Sequence, residues 1–500
     1  MGLTFSDTPA GMGVIIPTSG PTDWLPDIRI IQAGMGVAIS GPTLAKTCAR
    51  HKGVLPTVSL VAAERVFARI LQLGDPSGAY RRALGHFPFP EVAKRILHKY
   101  YIEGGKKPSR KFKFVPAFSL QPPAELIELA VAASFVFVWL AKEGHTGKIS
   151  ANDLEKLQMT HLYHQFGAML AGVDCVTMGA GIPDQIPYVL DAYANRRPAS
   201  YRVTVEGHPK GFETMTFDPV AFFGNNYPCL RRPKFLPIVT THNLAEILIV
   251  RLAKKRGGDH GIDGFVIEKP IAGGHNARPR GQFEYNEKGE PIYGKRDETD
   301  FAEMRKLGIP FWLAGGYASP EGLAQALELG ATGVQVGSAF ALCEQSGMDP
   351  SYRAEIRRLA YRGELEIFTD PDASPTGFPF KVVLLPGTMS EKAVFDARVR
   401  VCDLTALRVP YWRPNGTIGT RCPSAPEHDC LRNGISGERM RKAKCMCNGL
   451  LSGGGLGNPG EQPIYTMGNI VTPVCQVLMS HENDSYTAED VILHILSGKS

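Results

Sequence analysis

Short apolar runs rich in β-branched residues recur along the chain, and each gives way to a stretch with helical spacing. The alternation predicts strands at residues 28–32, 54–60, 173–178, 236–241, 262–268, 310–313 and 333–336. Helical segments are predicted after them, at residues 41–52, up to about 101, at 244–255 and at 320–330. Strand–turn–helix units repeated in one direction build a parallel sheet with helical crossovers. Seven strands are clear, and a closed barrel needs eight. Three segments compete for the third place: 113–118, 135–140 and 148–152. The most apolar run, 129–141, reads as a buried helix-to-strand passage, too short to span a bilayer.

The regular alternation is interrupted twice. Residues 201–217 alternate apolar and polar positions about Gly207, His208, Pro209, Lys210 and Gly211, which predicts an inserted hairpin. Residues 281–300 are polar and charged and read as an exposed loop. The domain division expected is a barrel over residues 1–400 and a Cys/Gly-rich, irregular extension over 401–500. Thr487 and Asp490 give an N-cap signal for a last helix carrying Val491, Ile492, Ile495 and Leu496, which could dock on its own barrel or on a second copy.

Composition narrows the class without naming a reaction. The chain has 500 residues, 43% hydrophobic and 21% charged, with a net charge of +6. Lys and Arg are dispersed, so nucleic acid is not an expected partner. The basic stretch from Lys106 to Lys111 reads as a solvated loop, or as a surface for an acidic carrier. Ten cysteines include no CxxC pair, which argues for reduced thiols in a cytoplasmic protein. Residues 1–20 show no signal-peptide pattern, and no membrane association is expected. Cys422, Cys430, Cys445 and Cys447 lack the paired knuckles of zinc sites, so packed thiols are expected there and no metal.

Candidate chemistry gathers in glycine turns at predicted strand ends. They are Ala272-Gly273-Gly274-His275, Ala314-Gly315-Gly316 and Gly337-Ser338-Ala339. Glycine lets backbone N–H groups approach an anion closely, and the loops after strands seven and eight of such barrels often hold a phosphate. Ser338 adds a hydroxyl donor. His275 follows two glycines at a strand end, where an imidazole of near-neutral pKa suits proton abstraction. Asn152, Glu268, Asn276 and Thr240 are further polar groups expected near the same rim.

These pieces, together with Ile30-Ile31-Gln32-Ala33-Gly34-Met35-Gly36 and Gly333-Val334-Gln335-Val336-Gly337-Ser338-Ala339-Phe340, resemble the nitronate monooxygenase (2-nitropropane dioxygenase) family. The resemblance covers roughly residues 28–400 and looks closer to a larger subgroup with a C-terminal extension. It implies an FMN-dependent TIM-type (β/α)8 barrel that oxidises nitronates or nitroalkanes with O2. It implies that Gly34, Met35, Gly36, Asn152, Gly273 and Gly274 lie near the flavin. Gly315, Gly316, Gly337 and Ser338 would hold its phosphate, and His275 would be the base. It also favours 148–152 as the third strand. Ser338 stands where the family usually has Thr. The sequence is similar as well to flavin-dependent enoyl reductases, which implies an alternative: an NAD(P)H-dependent reductase acting on an acyl-carrier thioester. A barrel that binds flavin without catalysis is a third reading, against which His275 weighs.

Overall fold

The computed structural model describes residues 23–498; the expectation for residues 1–20 lies outside them. Eight parallel strands close into a barrel: β1 (Ile30–Gln32), β2 (Val54–Ser59), β3 (Ser150–Leu154), β4 (Cys175–Gly179), β7 (Lys234–Val239), β8 (Phe265–Glu268), β9 (Phe311–Ala314) and β10 (Gly333–Val336). The two numbers between β4 and β7 belong to an inserted hairpin, β5 (Ala199–Thr204) and β6 (Phe212–Phe217). Neighbouring barrel strands pair in chain order, and β10 closes on β1 through Ile30↔Val334. The strands read as unbroken apolar runs because helices cover their outer face while side chains fill the interior.

The third strand is β3, paired with β2 through Thr57↔Ser150 and with β4 through Ser150↔Cys175. The candidate at 135–140 is overturned, since it lies inside one 19-residue helix, Ala124–Lys142. The passage from helix to strand expected at 129–141 is overturned with it. The β-branched and aromatic residues there carry no helical period because helices pack around them: Ala63–Gln72, Pro42–Cys48, Ala79–Leu84 and His161–Leu170. By length and composition this helix is apolar enough to cross a membrane, yet 72% of its most apolar window is buried within the protein. Residues 113–118 form no regular element; the Lys113 amide donates to Gln72 Oε1 at 2.6 Å.

One end of the barrel is sealed. Leu25 and Ile28 plug it against Ile31, Leu55, Leu236, Val266 and Trp312, and the Trp312 indole N–H donates to the Ile28 carbonyl at 2.9 Å. The other end, at the strand carboxyl termini, therefore carries the site. It is roofed by later segments: the hairpin β11 (Ile367–Asp370) and β12 (Phe380–Val383), the hairpin β13 (Val409–Trp412) and β14 (Ile418–Arg421), and four short helices between Glu427 and Leu478. The inserted hairpin is tied to this roof where the Glu206 amide donates to the Pro410 carbonyl at 3.0 Å. The last helix, Ala488–Leu496, opens with the Thr487–Asp490 capping box. It docks on its own barrel, burying Val491, Ile492 and Ile495 against Pro42–Cys48 and Pro320–Glu328.

Candidate active site

The eleven residues expected to carry catalysis or hold the cofactor meet in one cavity at the open end of the barrel. Gly34, Met35, Gly36, Asn152, Gly273, Gly274, His275, Gly315, Gly316, Gly337 and Ser338 line it. Each turn is placed by the strand before it. Gly34–Gly36 follow β1, and the Ser40 hydroxyl holds this loop, donating to the Ala33 carbonyl at 2.7 Å and accepting from the Met35 amide at 2.9 Å. Asn152 on β3 packs so closely on Gly34 that a Cβ there would lie 2.2 Å from the asparagine Cβ. Its amide donates to the Thr177 carbonyl at 3.1 Å.

The turns after β9 and β10 have the features of an anion cradle. Gly315 and Gly316 sit at φ of 98° and 84°, where side chains are disfavoured. Among the described residues, the amide N–H groups of Gly315, Gly316 and Gly337 donate to no other group. Gly315 and Gly337 are half-buried and Gly316 is exposed, and successive free amides in such glycine turns form a concavity that suits an anion. The Ser338 hydroxyl accepts from the Gly468 amide at 2.8 Å, which leaves its proton available to a ligand.

His275 is clamped by the roof. Its Nε2 meets the Ser374 hydroxyl at 2.7 Å, and its ring stands edge-on to Phe380, centroids 4.9 Å apart. Burial holds the imidazole well below its ordinary pKa, and the nearby Lys156 charge pushes the same way. The ring is therefore neutral at physiological pH, with Nδ1 as the nitrogen that no group engages among the described residues. Glu268, at the end of β8, has its carboxyl raised to about 7 by burial, opposed by Lys156. Glu268 lines the cavity. Asn276 and Thr240 do not; they face a small neighbouring hollow, where the Asn276 side chain donates to the Ala272 carbonyl at 3.1 Å.

The sequence reading missed the part of the site supplied by residues 401–500. Leu404, Ala406, Leu407, Met446, Cys447, Leu450, Tyr465 and Gly468 line the same cavity. Thr466 Oγ1 accepts from the Gly274 amide at 2.7 Å, so the extension braces the turn that carries His275. The one local signal was a further glycine-bearing turn, Met467-Gly468-Asn469, ahead of the helix Thr472–Leu478. The thiols of Cys422 and Cys430 are buried and those of Cys445 and Cys447 partly so; all four are free. Among the described residues, no three His, Cys, Asp or Glu side chains converge as metal ligands.

A closed parallel barrel with glycine turns and a buried neutral histidine at its strand carboxyl ends defines a (β/α)8-barrel enzyme. Residues 218–363 match the model of the nitronate monooxygenase family, the family the glycine turns resemble. The chain is 38% identical over 98 residues to a probable nitronate monooxygenase of Bacillus subtilis, covering 20% of this chain and 26% of that protein. It is 37% identical over 97 residues to a nitronate monooxygenase of Pseudomonas aeruginosa, covering 19% and 26%. The chain thus spans about a quarter of the length of these curated relatives. Among solved structures it is similar to FabK from Thermotoga maritima (15% identity, 94% of this chain and 92% of that one, TM-score 0.42). It is similar also to nitroalkane oxidase from Streptomyces ansochromogenes (14% identity, 94% and 96%, TM-score 0.41).

Proposed function

We propose that the protein is an FMN-dependent oxidoreductase that oxidises nitronates or nitroalkanes with O2. The observation that carries this reading is convergence: eleven residues carried by five separate barrel strands, a neutral histidine among them, share a single cavity. The family match over residues 218–363 supports it.

In this reading Gly34, Met35, Gly36, Asn152, Gly273 and Gly274 border the flavin ring. Gly315, Gly316, Gly337 and Ser338 donate to its phosphate. A bound flavin supplies the electron-accepting chemistry, which the protein itself lacks. The chain's own contribution is proton handling and positioning. His275 removes the proton from the carbon bearing the nitro group when the substrate arrives neutral, using Nδ1 while Ser374 fixes the ring. The apolar roof formed by Leu404, Leu407, Met446 and Leu450 excludes water from the reacting carbon.

The test begins with the absorbance spectrum of the purified protein and chromatographic identification of the released flavin. Anaerobic mixing follows, with propionate 3-nitronate and separately with NADPH. Flavin bleaching by the nitronate, and nitrite release in air, are expected. Bleaching by NADPH alone would replace this reading with the enoyl-reductase one. A colourless protein that takes up no FMN would overturn the cofactor assignment.

A further inference from the structure

A second, larger chamber of about 680 Å³ lies beside the active-site cavity. The two share a wall made by Ala62, Leu157, Ala180, Leu404, Ala406 and Leu407. A nitroalkane of a few carbons does not need such a space. The chamber is lined by apolar side chains, among them Phe118, Met159, Val203 and Phe212, and by polar and charged ones in similar number.

Among the described residues, every charged side chain of its wall but one has a hydrogen-bond or ion-pair partner. Arg65 donates to the Pro116 carbonyl at 2.7 Å, and Arg439 to the Pro375 carbonyl at 3.0 Å. The Arg202 guanidinium meets Gln185 at 3.3 Å, and Arg408 faces Asp429 at 3.7 Å. The carboxylates are matched as well: Glu64 by His164, Glu155 by Tyr201, Asp184 by Lys255 and Glu206 by Arg421. Lys156 is the exception. Its Nζ is buried and has no hydrogen-bond partner among the described residues. It sits 3.9 Å from the centre of the Phe378 ring. An aromatic face satisfies one side of an ammonium and leaves further N–H donors without an acceptor. Burial without a partner pulls the amine down to about 7, opposed by Glu268, and an arriving anionic acceptor would restore its charge. The Lys156 charge also acts on Glu268 and His275, so the amine lies within electrostatic reach of the reacting centre.

We propose that the chamber receives the carbon chain of an elongated substrate and that Lys156 binds a carboxylate at the far end of that chain. A single lysine amine matches a monoanion, and the guanidinium groups on the same wall, Arg65, Arg202, Arg408 and Arg439, already donate to protein acceptors. His164, Lys255 and Arg421 offset the charges of Glu64, Asp184 and Glu206, which reduces the repulsion opposing an incoming anion. Only the placement of the oxidised carbon at His275 rests on the function proposed above. Binding of the carboxylated chain stands apart from it.

The experiment measures calorimetric binding of octanoate, octanol and octyl phosphate to the purified holoprotein. Octanoate should bind roughly tenfold or more tightly than octanol, the worth of one charge-assisted hydrogen bond. Lys156→Met should abolish that preference, and Lys156→Arg should restore part of it, with unchanged circular dichroism showing that both fold. Equal affinity for octanoate and octanol, or an undiminished preference in Lys156→Met, would overturn the proposal. Tighter binding of octyl phosphate would overturn the carboxylate assignment. A second arm compares kcat/KM for the nitronates of 6-nitrohexanoate and 1-nitrohexane. If neither is oxidised while octanoate selectivity persists, the proposed reaction fails and the carboxylate site stands.

Discussion

Replacing His275 by alanine separates the base from the rest of the site. The side chain makes one hydrogen bond, to Ser374, and one edge contact, with Phe380. Their loss costs about 1–3 kcal/mol together, a modest part of the roughly 5–15 kcal/mol that holds a domain folded. The variant should fold and keep its flavin. With a neutral nitroalkane, kcat/KM should fall by about 10²–10⁴, the usual worth of a positioned base. With the corresponding nitronate, whose proton is already gone, the fall should stay within roughly threefold on the same argument. Initial rates of O2 consumption and nitrite release on nitroethane and on ethyl nitronate measure both. Equal losses on the two substrates would mean that His275 positions rather than abstracts. Activity on nitroethane within a few-fold of the parent would remove it from proton transfer altogether. The pH profile is a second check. Burial keeps the imidazole unprotonated well below its ordinary range, so activity on nitroethane should hold as pH falls through about 6.5 and drop only below that. A limb at the ordinary histidine pKa would contradict the buried environment.

Three further outcomes follow from other parts of the fold. Gly337→Ala places a methyl 3.6 Å from Met35 Sδ, in ordinary contact and at a φ of −111°. The fold should tolerate it, with stability changed by less than about 1 kcal/mol in thermal melts, while the added methyl crowds the proposed phosphate cradle and flavin content falls; undiminished flavin would move the phosphate elsewhere. His164 lies buried between Asp153 at 2.7 Å and Glu64 at 3.2 Å. Burial would lower its pKa, but the two carboxylates carry it to about 9. Its stabilisation is therefore full below about 6.5 and lost as pH rises through about 9, and His164→Leu, which strands two carboxylates, should cost about 3–5 kcal/mol in denaturant titrations. Thr487→Ala removes the capping hydroxyl of the last helix and should cost about 1 kcal/mol by the same measurement.

What the sequence made legible was whatever is encoded within a few residues. A glycine pair after an apolar strand announces a tight turn locally, which is why Gly315, Gly316 and Gly337 could be placed at strand ends without a structure. The helix Ala124–Lys142 was opaque for the opposite reason: surrounded by other helices, it has no polar face, and periodicity is the signal that such burial erases. The third strand was undecidable alone because its identity lies in ladders to β2 and β4, contacts that a single segment does not record. The extension is the sharpest case. Thr466 reaches Gly274 across 192 positions of sequence, and nothing local in a Gly/Pro-rich stretch states which turn it will roof. Lys156 was hidden too, since one lysine among many becomes singular only when its neighbours are known to leave it without an acceptor. The glycine turns thus mark the place of the proposed cofactor, while the long-range partners that sequence conceals, the roof and the buried amine, shape the space beside it. Substrate choice in this protein should accordingly be changed by substitutions at Lys156 and at the cavity-lining positions of residues 401–470, which lie outside the barrel strands.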